Sequence, residues 1–173
     1  GDVKLGSVFP KANMAWRNDF SYKGFNLSVM VSARFGGIVY SATQAALDLY
    51  GVSEASAKAR DKGYVEVNGN DRLNPESWYS TIGGSDGIPQ FYTYSATNVR
   101  LQEASLSYTF KKNHFFGLGD LTLSVTGRNL LMFYCKAPFD PETTATTGNY
   151  YQGIDKFMTP STRNIGFNIK LKF

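Results

Sequence analysis

The last eleven residues constrain the fold most. In RNIGFNIKLKF, residues 163–173, Ile165, Phe167, Ile169, Leu171 and Phe173 fall on one parity. Asn164, Gly166, Asn168, Lys170 and Lys172 take the other. A period of two is a strand with one apolar and one polar face. The same alternation predicts strands over 121–131, where Leu121, Leu123, Val125 and Gly127 oppose Thr122, Ser124, Thr126 and Arg128, and over 25–35, from Phe25 to Phe35. A fourth covers 12–22, where Asn18 interrupts the apolar set Met14, Trp16, Phe20 and Tyr22. A fifth covers 98–110, and there Val99 and Leu101 fall on the polar parity, which predicts either a bulge or an end that projects beyond the apolar layer.

The connections alternate in length. Lys23-Gly24 is a tight turn, 36–97 is long, 111–120 is short and 133–162 is long. Antiparallel neighbours then place both long connections at one end, an asymmetry found in outer-membrane barrels. A soluble antiparallel sandwich or barrel explains the alternation equally well. It explains the asymmetry poorly, since loops beyond about 12–15 residues are uncommon in compact domains. Aromatic residues make up 15% of the chain and charged residues only 18%. Trp16, Phe20, Tyr22, Tyr108, Phe110, Phe115, Phe116 and Phe173 lie near strand ends, as interfacial girdles do. Closing a membrane barrel takes about eight strands, so five imply a fragment, or a further strand near residues 1–9. No stretch reaches the ~18–20 apolar residues of a membrane helix, and the opening GDVKLGSVFPK does not read as a signal peptide.

Within 41–62, Ala42, Ala45, Ala46, Leu49 and Val52 form an intermittent stripe, and Ser53 precedes a second helical stretch over 55–62. One or two short helices are expected there. Residues 68–92 and 138–152 are rich in turn formers. Their aromatics suit stacking on sugar rings, holding apolar peptide groups, or packing loop against loop. Chemistry is sparse. The net charge of +4 comes from scattered residues, not a basic block, so no nucleic-acid partner is expected. Cys135 is the only cysteine and His114 the only histidine, and they make no convincing dyad. Asp71, Asp86 and Asp155 are too dispersed for a calcium site, and the GGSDG run is a turn, not a phosphate loop. No enzyme activity, metal or cofactor is expected.

Several segments in order carry a resemblance: PKANMAWRNDFSYKGFNLSVMVSARFGG, NVRLQEASLSYTF, LTLSVTGRNLLMF, FDPET and TPSTRNIGFNIKLKF. Together they resemble the C-terminal end of SusC/RagA-family TonB-dependent transporters, over nearly the whole chain. The resemblance implies an all-β fold. The chain would be an antiparallel outer-membrane β-barrel fragment of about five strands, with two long extracellular loops containing short helices. Residues 1–173 would be the C-terminal part of the barrel, without its plug domain and remaining strands. The implied whole is a roughly 22-stranded barrel in the bacterial outer membrane. It would import an oligosaccharide or peptide substrate. Its partners would be the N-terminal plug, a SusD-like surface lipoprotein lid, the TonB complex and outer-membrane lipid.

On this view Gly127, Arg128, Asn129 and Leu130 are structural, and Phe173 is the terminal assembly signal. Arg17, Asp19, Arg34, Arg128 and Lys170 would face the lumen, since Arg or Lys facing lipid at the midplane costs about 2–4 kcal/mol. Trp78, Tyr79, Tyr92, Tyr150 and Tyr151 would touch substrate or lid. The alternatives are a soluble carbohydrate-binding β-module, using Trp78 or Tyr150–Tyr151, and a structural surface protein.

Overall fold

Lys23 and Gly24 both hold positive φ, 44° and 90°, so the chain reverses in two residues. Such turns match the twist of the strands they join. Strand β1 (Ala12–Tyr22) therefore folds straight back on β2 (Phe25–Phe35), pairing from Ala12 with Phe35 to Tyr22 with Phe25. The computed structural model describes residues 3–111, 119–145, 148 and 151–172. After β2 come β3 (Ile38–Ser41), α1 (Ala42–Leu49), α2 (Glu54–Lys62), β4 (Val65–Val67), β5 (Asp71–Leu73) and α3 (Pro75–Gly83). A 3-10 turn at Pro89–Tyr92 leads into β6 (Thr93–Ser95), followed by β7 (Asn98–Phe110), β8 (Asp120–Cys135), β9 (Ile154–Asp155) and β10 (Asn164–Lys172).

The chain divides into two compact units. The sheet unit comprises Pro10–Gly36, Ala96–Asp140 and Pro160–Phe173. Its strands run antiparallel in the order β1-β2-β7-β8-β10. Register builds apolar rows across all five strands. One is Phe20, Leu27, Leu106, Val125 and Phe167; the next is Tyr22, Phe25, Tyr108, Leu123 and Ile169. Of the two expectations for 98–110, the bulge is the one present. Pairing shifts at Gln102, which returns Leu101 and Val99 to the apolar rows beside Val31 and Ala33. Opposite it, Asn129 takes a left-handed φ of 52°, a conformation asparagine tolerates better than most residues. Leu130 then folds over Gly127, where a Cβ would lie 2.5 Å from the Leu130 side chain. The GRNL run is thus the sequence of a bulge.

The second unit comprises Gly1–Phe9, Gly37–Ser95 and Pro141–Thr159. It holds a three-stranded sheet, β6-β3-β9, and the hairpin β4-β5. β3 pairs antiparallel with β6 and parallel with β9. Ala45, Ile82 and Tyr92 form its core, with Tyr40, Trp78 and Tyr79 packed against them. Where one or two short helices are expected in 41–62, there are two, α1 and α2. α3 was not expected, although Asn74 caps it and Pro75 opens it. That pair is a helix start signal that the surrounding turn formers obscure.

The fold class is corrected accordingly. The protein is mixed α/β, not all-β: the 36–97 connection, read as a loop with one or two short helices, holds three helices and a core of its own. No sheet closes into a barrel among the described residues, because the five-stranded sheet ends at β1 and β10. The β-barrel and transmembrane readings lose their footing with it, since an open sheet leaves edge groups unpaired in lipid. Among the described residues no helix is long and apolar enough to cross a membrane. No strand occurs in residues 3–9, although the Ser7 carbonyl accepts from the Ile38 amide at 2.9 Å.

Candidate functional site

Ser41 ends β3 and starts α1. Its Oγ accepts from the Gln44 amide at 3.1 Å and donates to Asp155 Oδ2 at 2.7 Å, tying the helix start to β9. α1 and α3 approach closely because Gly83 has no side chain: a Cβ there would sit 2.6 Å from the Ala45 carbonyl oxygen. On α3, Trp78 meets Phe91 edge-on, with ring centroids 5.5 Å apart. Below them Tyr92 is only 2% exposed. Its hydroxyl lacks a well-formed hydrogen bond. Burial first, then the nearby Asp48 carboxylate, push this phenol well above its ordinary value. The same two causes raise Tyr79 and Tyr94. Asp48 is itself buried and accepts from Gln44 Nε2 at 3.3 Å. A cleft of ≈ 270 Å³ opens beside it, between α1, α2 and α3.

The sheet unit carries the other candidate surface. Arg17, Asp19, Arg34, Arg128 and Lys170, expected to face a lumen, all lie on its polar face by register. The described residues enclose no lumen. Arg17 pairs with Asp19 at 3.2 Å and Arg128 with Glu103 at 3.2 Å. Exposed pairs of this kind contribute little to stability. A stronger pair lies deeper. Arg100 clamps Asp140 through two bonds, 2.7 and 3.0 Å, and its Nε donates to Asn98 Oδ1 at 3.2 Å. Both charged side chains are buried. Such bidentate geometry fixes position as well as contributing energy. Nearby, the Cys135 thiol lies within bonding reach of the Ala137 and Phe139 carbonyls, and burial raises its pKa. A thiol held protonated is a poor nucleophile.

The expected aromatic contacts scatter. Trp78 and Tyr79 are half-buried against the core, Tyr92 is inside it, and Tyr151 is exposed. Tyr150, Phe173, His114, Phe115 and Phe116 lie outside the described residues. Sequence reasoning missed Asp48, Arg100 and Asp140. Asp48 sits beside Ala45 and Leu49 on the helical stripe, a polar residue at an inward position. Arg100 falls in the stretch where the bulge scrambles parity. Among the described residues, no group of three or more His, Cys, Asp or Glu could hold a metal.

No family model matches the sequence. The TonB-dependent receptor P3 of Formosa agariphila is 26% identical over 185 residues, covering 98% of this chain and 17% of that protein. Two solved states of the RagAB peptide importer share the fold. The open-open state gives a TM-score of 0.70 over 97% of this chain, and the closed-closed state 0.71 over 98%, both at 20% identity. The chain spans 18% of each of those structures' matched chains. The relation to TonB-dependent and RagAB transporters is therefore distant. The narrower expectation, a barrel segment, is corrected by the unclosed sheet and the helical unit. The matched proteins are a TonB-dependent receptor and a peptide importer.

Proposed function

We propose that the chain is one portion of an energised nutrient importer of the TonB-dependent kind, associated with the bacterial outer membrane. The observation that carries this reading is the match to a TonB-dependent receptor along 98% of the chain. The fold shared with the RagAB peptide importer supports it. Glycans or peptides are the cargo, a SusD-like surface lipoprotein is the lid, and the TonB complex supplies energy through a part of the importer outside this chain. Trp78, Tyr79 and Tyr151, with Tyr150, contact cargo or lid, while Tyr92 stays in the core against which Trp78 and Tyr79 pack. Arg17, Asp19, Arg34, Arg128 and Lys170 keep one face of the sheet hydrated.

The test is uptake in the bacterium that makes the protein. Fluorescent oligopeptides and oligosaccharides are supplied to wild-type cells and to cells whose gene lacks residues 41–62, with and without a protonophore. The reading expects uptake of one cargo class that needs both the segment and the proton gradient. Uptake indifferent to both sinks it. Sugar binding by purified protein in water, with no uptake defect, would instead leave a carbohydrate-binding module.

A further inference from the structure

Asn68 and Gly69 turn the chain between β4 and β5, and both hold left-handed φ, 53° and 83°. Val67 pairs with Asp71, so Asn68, Gly69 and Asn70 are the whole loop. Asparagine tolerates this conformation and glycine adopts it freely. All three loop residues are exposed. A Cβ at Gly69 would meet nothing within 4 Å. A carboxamide followed by glycine has chemistry of its own: the Gly69 backbone nitrogen can attack Asn68 Cγ, because glycine puts no side chain in the way. The hairpin also permits the excursion this attack needs. β4 and β5 form a two-stranded sheet of their own, of three residues each. A hairpin that small is marginally stable, and local openings of it cost little. Asp86-Gly87 has the same order of side-chain carbonyl and glycine, and Asp86 is exposed too. There the backbone is fixed. The Gly87 amide donates to the Gly84 carbonyl at 3.0 Å, and a Cβ would run into the Ile82 carbonyl oxygen.

We propose that Asn68 is a self-modification site, converting to aspartate and isoaspartate through a cyclic imide closed on Gly69. Ring closure forms a bond from the Gly69 nitrogen to Asn68 Cγ and breaks the carboxamide C–N bond. The proton of the Gly69 amide leaves with the carboxamide nitrogen, as ammonia. One water then opens the ring, its hydroxyl going to a ring carbonyl carbon and its remaining proton to the ring nitrogen. Opening at Cγ gives ordinary aspartate. Opening at the Asn68 backbone carbonyl carbon gives isoaspartate, in which the chain runs through the side chain. Either product adds a carboxylate to the loop that leads into Asp71. Isoaspartate also lengthens the loop backbone by one methylene, and loop length sets hairpin register. Arg72, whose guanidinium lies 4.4 Å from the Tyr64 ring centroid, rides on that register. The inference does not rest on the transport reading, since the reaction needs only the chain and water.

The experiment incubates the purified full-length protein in mildly alkaline buffer made with heavy-oxygen water. Peptide mapping by mass spectrometry follows the course of the reaction. The peptide holding Asn68 is expected to give two separable acidic products, each with one heavy oxygen taken from water. Isoaspartyl methyltransferase is expected to methylate one of the two. The peptide holding Asp86 is expected to form no isoaspartate over the same period. Gly69→Ala is expected to slow the conversion, because it places a methyl group beside the attacking nitrogen, and Asn68→Ser to abolish it. The wild-type protein carries the test even where a variant fails to fold. An Asn68 peptide that stays intact, or that yields aspartate alone, overturns the inference. Isoaspartate forming at Asp86 as fast as at Asn68 overturns it too, because the fold would then not select the site.

Discussion

Trp16 and Ile82 obey opposite rules. Trp16 stands on β1 at 64% exposed, although tryptophan is among the largest apolar side chains, and Ile82 stands on α3 at 4%. The contrast extends through each unit. The row from Phe20 to Phe167 leaves its apolar side chains exposed, and the larger side chains that the sheet unit buries are polar: Asn98, Arg100 and its clamp on Asp140. The helical unit buries Val39, Ala45, Ile82 and Tyr92 and keeps its charges largely outside, Asp48 and Asp155 excepted. Alternation along a strand therefore shows that two faces differ, without showing which one the chain itself covers. Burial of apolar area organises the helical unit, while hydrogen-bonded register and one buried ion pair organise the sheet.

The comparison breaks most readily at Asp140. Asp140→Ala removes both bonds of the clamp from a buried guanidinium, and breaking a buried ion pair from one side costs about 3–5 kcal/mol. Hydrogen exchange on the full-length protein should show β7 and β8 amides losing that protection while α3 amides keep theirs. Equal losses in both units would mean that the two do not respond separately. Gly83→Ala tests the opposite side. Its added methyl meets the Ala45 carbonyl oxygen at 2.6 Å and the Leu49 amide at 3.1 Å, both backbone atoms that yield little. Overpacking of this kind costs about 1–3 kcal/mol, and the loss should appear in α1 and α3 protection. An unchanged exchange pattern would show that the helices separate freely.

The smallest effect concerns pH. Tyr79, Tyr92 and Tyr94 all have folded values raised above the ordinary 10.0, by burial first and by Asp48 second. A raised value means that the unfolded chain gives up its protons first. The contribution is therefore intact below about pH 10 and is lost as pH climbs from there through the folded values. Ultraviolet titration at alkaline pH should show these phenols ionising after the exposed ones, together with loss of α3 protection. Ionisation of all tyrosines in one step near pH 10 would contradict the burial of Tyr92.

Much of the sheet was legible in the sequence because its period is two and its turns are short. Even the bulge announced itself, through Val99 and Leu101 on the wrong parity. The misreading came from 36–97. Its helices are only eight or nine residues long, too short for a firm periodic signal, and α2 is almost wholly polar. Their stability comes from caps and from tertiary contact with Tyr92 and Ile82, which sequence spacing does not display. The candidate site was less legible still. Asp48 is read only when a charge on an apolar helical stripe is treated as a signal, and the clamp from Arg100 to Asp140 joins residues forty positions apart.

The parallel pairing of β3 with β9 also sets an order of events. Ser41 and Asp155 lie 114 residues apart in sequence, so the ribosome makes β7 and β8 before the partner of β3 exists. At synthesis rates of about 5–20 residues per second, the wait is roughly 6–23 s. Through that interval the helices can form from local contacts, while one edge of β3 stands open to other chains. The last strand to reach the helical unit is thus both its closure and the end of its exposure to mispairing.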